Sequence, residues 1–170
     1  MKVANTNKQV KRHIKRSIAA NKFAILSVNG VPQMAGGTGL NYSYTVGLSR
    51  LGLPELFICG LIPNDVMGGL LKRQANLWIA EGVADYAVRT DVVLRGDVKQ
   101  DILMRSQCIE ISARAAVHQY CSELKQRGGP GLKMAQFLYP DPNNLLPGEE
   151  GYDQRYHQPR QTPVLPHEKA

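Results

Sequence analysis

The apolar positions of the chain change period from segment to segment, and each change marks an element. Val10, Ile14 and Ile18 recur every four residues among Lys and Arg neighbours, which predicts an amphipathic helix over residues 1–22. Phe23–Val28 is a short apolar run closed by Asn29-Gly30, the signature of a buried strand and a turn. A glycine-rich loop over residues 31–41 precedes a strictly alternating segment, residues 42–49. There Tyr42, Tyr44, Val46 and Leu48 share one face, and Ser43, Thr45, Gly47 and Ser49 share the other. Residues 50–54 turn the chain, and Glu55–Leu61 forms a second strand, read as hairpin-paired to the first.

Pro63 and Asn64 open a helix to about Glu81, with Val66, Leu70, Leu71, Leu77 and Trp78 on its apolar face and Gly82 as its stop. Gly68-Gly69 inside it points to close approach by another backbone or to a later helix start. Residues 86–111 read as strand-like pieces. Ser112 caps a further helix to about Gln126, ended by Gly128-Gly129-Pro130-Gly131. Lys133–Tyr139 is a last strand before Pro140-Asp141-Pro142, and the remainder from Asn143 is an irregular Pro/Gly/Gln-rich tail, draped or disordered. These elements predict an α+β fold: a mostly antiparallel sheet with two or three flanking helices. The organisation expected is a basic arm (1–22), one α+β domain (23–142) and the tail (143–170).

Composition fits that picture. The 170 residues, 43% apolar and 21% charged, suit one domain with a real core. No apolar run approaches the roughly 20 residues that span a bilayer, and the basic start lacks the apolar core of a secretory signal. Three cysteines (Cys59, Cys108, Cys121) form no disulfide framework, which points to reduced thiols and a cytoplasmic setting.

Charge changes the picture more. The net charge is +7, and residues 1–22 hold seven cations and no acid; removing those seven from the 21 cations leaves 14 against 14 acids. The excess belongs entirely to the arm. Its cations, Lys8, Lys11, Arg12, Lys15 and Arg16 among them, form either a solvated face or a grip on a polyanion, nucleic acid before an anionic membrane. The arm has no aromatic residue, so stacking on unpaired bases is unsupported, and nothing indicates specific base reading.

Familiar catalytic motifs fail. Gly36-Gly37-Thr38-Gly39 is followed by a strand, not a helix, and lacks the Gly-Lys-Ser/Thr of a phosphate loop. Ser49 lacks the spacing of a nucleophile elbow. His118 and Cys121, with Cys108 upstream, fall short of four zinc ligands, and His13, His157 and His167 are scattered. No metal and no cofactor is expected. Glu55 and Asp141 are the better candidates, because carboxylates at strand ends beside loops can act as general acid or base. The alternative is that each caps a turn by accepting backbone N–H bonds.

Taken together, Tyr44-Thr45-Val46-Gly47-Leu48, Pro54-Glu55-Leu56, Gly60-Leu61, Leu70-Leu71, Gln136 with Pro140-Asp141, and Gly151-Tyr152 with Gln158-Pro159 resemble a bacterial and phage family catalogued only as a domain of unknown function. The resemblance runs from about Phe23 to Pro159. It implies a small cytoplasmic α+β domain without an established activity, and singles out Tyr44, Thr45, Gly47, Glu55, Gln136, Asp141, Tyr152 and Gln158. The chain departs in its long glycine loop, with Asn41-Tyr42 in place of a proline-aromatic lead-in, and in its basic arm.

Two functions are therefore expected, beside a third reading in which these polar residues only staple the loops and the tail onto the sheet. In the first, Ser43, Thr45, Glu55, Asp141 and Gln158 line one hollow for a small polar ligand, with Gln136 beside them. Glu55 or Asp141 would serve as general base for hydrolysis and Tyr44 or Tyr152 as hydrogen-bond donor. In the second, the arm makes the domain an adaptor for nucleic acid or a host protein.

Overall fold

The computed structural model describes residues 3–30, 39–95, 101–111, 133–156 and 158. The chain is α+β, as expected. Helix α1 (Val3–Asn21) leads into strands β1 (Ala24–Val28), β2 (Asn41–Val46) and β3 (Glu55–Gly60). Helix α2 (Asn64–Glu81) follows, then β4 (Arg89–Arg95), β5 (Asp101–Ile111) and β6 (Met134–Leu138). The six strands form one sheet in the order β1-β2-β3-β6-β5-β4. Every neighbouring pair is antiparallel except β3 and β6, where Glu55 lies opposite Met134.

The alternation along β2 separates two cores. Tyr44 and Val46 join Ala24, Phe57, Cys59, Ile111 and Met134 beneath α1, which contributes Ile14 with Val10 and Ile18. On the other face Leu56, Ile58, Ala135, Phe137, Met104 and Cys108 pack against Met67, Leu70, Leu71, Ala75 and Trp78 of α2. The hydroxyl face of β2 was expected to border a hollow. It is covered instead: Ser43 and Thr45 are fully buried, and Ser43 Oγ lies 2.7 Å from Ser27 Oγ on β1.

β2 ends at Val46, earlier than the alternation suggested, because Gly47 takes φ 126° and turns the chain into a 3-10 helix (Leu48–Leu51) stopped by Gly52 at φ 78°. A Cβ at Gly47 would come within 2.9 Å of the Lys22 carbonyl oxygen, so only glycine lets the junction of α1 and β1 pass so near. α2 runs as read, with Gly82 in the left-handed conformation at its end. The helix includes Gly68 and Gly69, which rules out a late start. A Cβ would meet only Ile25 Cγ2 at 4.0 Å from Gly68 and nothing near Gly69, so close approach does not explain the pair either. The helix read after Ser112 lies outside the described residues.

The tail segment that is described is draped over the body. Leu146, Tyr152 and Gln158 are buried, and Arg105 of β5 grips Glu149 through two bonds of 2.7 Å each. Among the described residues no helix is long and apolar enough to cross a membrane.

Candidate functional site

The residues singled out by sequence fall into two clusters. The first surrounds Glu55, fully buried at the start of β3. Its Oε2 accepts the Thr45 hydroxyl at 2.7 Å. Its Oε1 accepts three donors: the Gly47 amide at 2.8 Å, the Ser49 amide at 3.0 Å and the Ser49 hydroxyl at 2.8 Å. Thr45 Oγ1 in turn accepts the Leu56 amide at 2.8 Å. The tight turn after β2 leaves amides that its own backbone cannot pair, and the carboxylate supplies the missing acceptor. The Tyr44–Leu48 hallmark and Glu55 are thus one hydrogen-bonded unit across the β2–β3 connection.

The second cluster centres on Asp141, just beyond β6. Oδ1 accepts the amides of Asn143 and Leu145, and Oδ2 accepts that of Asp153, all at 2.9 Å. Burial pushes this carboxyl upward, but the Asp153, Leu145 and Asn143 amides outweigh it and hold it below its ordinary value. Gln158 spans the backbone of Tyr139: its Oε1 accepts the amide at 3.1 Å and its Nε2 donates to the carbonyl at 2.6 Å. The same Nε2 lies 3.3 Å from the Tyr152 hydroxyl, which donates to the Tyr156 carbonyl at 2.6 Å. A glutamine side chain here pairs with β6 as a neighbouring strand would, fastening the tail to the sheet.

Glu55 and Asp141 do not share a hollow. β3 and β6 run parallel with Glu55 opposite Met134, so Asp141 stands seven residues further along. At about 3.3 Å per residue the two acids are roughly 20 Å apart, at opposite ends of the sheet. The expected convergence gives way to two local staples because the parallel register puts one acid at the start of its strand and the other past the end. Gln136 lies apart from both, buried in the sheet with Nε2 3.6 Å from Cys59 Sγ. Tyr44 is buried on the α1 side, beside Tyr42 at 6.4 Å between ring centres.

Burial pushes the thiols of Cys59 and Cys108 up to about 12, which leaves both protonated and poor as nucleophiles. Among the described residues no three His, Cys, Asp or Glu side chains gather as a metal site would require; His118 and Cys121 lie outside them.

Sequence reasoning passed over Ser49 as a partner of Glu55, Asp153 as a partner of Asp141, and the Arg105–Glu149 pair. A hydroxyl and a glycine shortly after an alternating strand were the available signal for the first. A pair 44 residues apart offers none.

The cationic side chains occupy a third place. Lys8, Lys11, Arg12, Lys15 and Arg16 are exposed along α1, whereas Ile14 is 8% exposed and faces the sheet.

No curated protein and no solved structure matches the chain. Residues 17–153 match the model of the family described as "Domain of unknown function (DUF4262)". The matched segment contains the Glu55 unit and Asp141 with all three of its amide donors. It begins at Ser17, just after Lys8, Lys11, Arg12, Lys15 and Arg16, and ends before Gln158. With most of its length covered and both staples inside the match, the chain belongs to the DUF4262 family.

Proposed function

We propose that this protein is a nucleic-acid-binding adaptor that grips the phosphate backbone through α1. One observation carries the reading: five cations spaced three and four residues apart stand exposed on a helix whose apolar stripe is spent on the sheet. Packing through Val10, Ile14 and Ile18 fixes the helix, so the cations are held along about 12 Å of its axis at 1.5 Å per residue. The same packing argues against a membrane surface, since an interfacial helix must bury its apolar face in lipid. With no aromatic side chain on the arm, duplex phosphates suit it better than unpaired bases. The buried thiols of Cys59 and Cys108 agree with a cytoplasmic setting for this role.

The small-ligand reading beside β2 has less support. Glu55 and Asp141 each have their acceptor positions filled by nearby donors, and neither is oriented toward the other.

The test is fluorescence anisotropy with a labelled 20-base-pair duplex, titrated from 50 to 200 mM salt. Five phosphate contacts predict a log–log slope near −4.5, a loss of roughly 500-fold over that range. Replacing Lys11, Arg12, Lys15 and Arg16 together by Gln should bring the slope to about −1 while leaving the melting temperature nearly unchanged. Absence of duplex binding at 50 mM salt, or a slope untouched by the four substitutions, refutes the proposal.

A further inference from the structure

The chain contains a single Asn-Gly step, Asn29-Gly30, directly after β1. Such a step is chemically labile. No side chain shields the glycine nitrogen, and the free backbone of glycine lets that nitrogen close a five-membered ring on the preceding carboxamide. Asn29 is exposed, so base and water reach it.

The surroundings explain why both residues stand there. A Cβ on Gly30 would collide with the Leu40 carbonyl, because the two ends of the β1–β2 connection pass each other at this point. Asn29 Oδ1 accepts from Asn64 Nδ2 at 2.6 Å, which ties the same connection to the start of α2.

A third side chain restrains the step. Asn41, the first residue of β2, accepts the Gly30 N–H on its Oδ1 at 3.1 Å and donates from its Nδ2 to the Ile62 carbonyl at 3.3 Å. The Gly30 nitrogen is the nucleophile of ring closure. To lose its proton and swing toward Asn29 Cγ it must first leave Asn41, and the Asn29 carboxamide must leave Asn64 to turn and meet it.

We propose that Asn29 is a latent deamidation site, held unreacted by the side chain of Asn41. When that hold opens, the Gly30 nitrogen, its proton lost to base, bonds to Asn29 Cγ. The Cγ–Nδ2 bond breaks and the amide departs as ammonia. Water then opens either carbonyl of the succinimide, leaving aspartate or isoaspartate at position 29. One water is consumed and one ammonia released, and no oxidant or reductant takes part.

The test incubates the full-length protein at pH 8 and 37 °C, folded and in concentrated urea, and follows the peptide carrying position 29 by mass spectrometry. Two hydrogen bonds, each worth about fivefold, predict a folded rate roughly 20-fold below the unfolded one. Asn41→Ala should raise the folded rate about fivefold, with folding checked by circular dichroism. Asn41→Asp keeps an acceptor for the Gly30 N–H and should stay slow. Equal rates for the native sequence folded and unfolded overturn the proposal, whether or not either variant folds. A folded Asn41→Ala protein that reacts no faster than the native one overturns it as well.

Discussion

Replacing Glu55 by Gln keeps the volume of the side chain and changes only its hydrogen bonding. The amide oxygen can take the place of Oε1 and accept from Gly47 N, Ser49 N and Ser49 Oγ, but each bond to a neutral acceptor is weaker by about 1 kcal/mol than one to a carboxylate. The amide nitrogen then replaces Oε2 and cannot accept from Thr45, so the Thr45–Oε2 bond is lost in a fully buried place. That adds roughly 1–3 kcal/mol. Relief of the desolvation carried by a buried carboxylate offsets part of the total. The net loss expected is about 2–3 kcal/mol, or roughly 5–10 °C in Tm for a domain of this size. Thermal melting by circular dichroism at pH 7 measures it directly. The pairing with Thr45 is tested by a double-mutant cycle: Thr45→Val should cost about 1 kcal/mol less in the Glu55→Gln background than in the native one. If Glu55→Gln melts within a degree of the native protein, or if the two substitutions are additive, the carboxylate is not the fastening described.

Two further outcomes follow from the tail side of the sheet. At Gly60, φ is 151° and a Cβ would clash with the Tyr139 hydroxyl oxygen, so Gly60→Ala should destabilise by about 2–3 kcal/mol, and adding Tyr139→Phe should recover part of that; chemical denaturation that shows no recovery would refute the clash. The carboxyls of Asp141, Glu149 and Asp153 are all held below their ordinary values, Asp141 by its backbone amides against burial, Glu149 by Arg105 and Asp153 by Arg155. A depressed carboxylate stabilises the fold above its unfolded value and loses that contribution as the pH falls through the folded one, so Tm should fall progressively from about pH 4.5 downward. Asp141→Asn should make the fall shallower, and a Tm unchanged between pH 5 and pH 3 would contradict the reading.

Much of the architecture was legible without coordinates because its signals are local. The four-residue recurrence of Val10, Ile14 and Ile18 is enough to place α1, and Pro63, Asn64 and Gly82 bracket α2 within a residue. Alternation in Tyr42–Val46 separates the two faces of the sheet before any partner is known. The charge asymmetry is likewise a property of the sequence alone, since it needs only a count of cations in one segment.

What the side chains of that framework do was decided elsewhere. Glu55 and Asp141 look alike in sequence, each a carboxylate at a strand end beside a proline. Only the parallel register of β3 and β6 sends them to opposite ends of the sheet. Thr45 and Ser43 carry hydroxyls suited to a ligand, and only the packing of α2 turns them inward. Gln158 acts as a strand substitute for Tyr139 across 19 residues of irregular chain, which no periodicity encodes. Periodicity reports which side of an element is apolar, a matter of neighbours three or four residues away. Hydrogen-bond partners depend on register and on loops that return from far along the chain, and these exist only once the sheet has assembled.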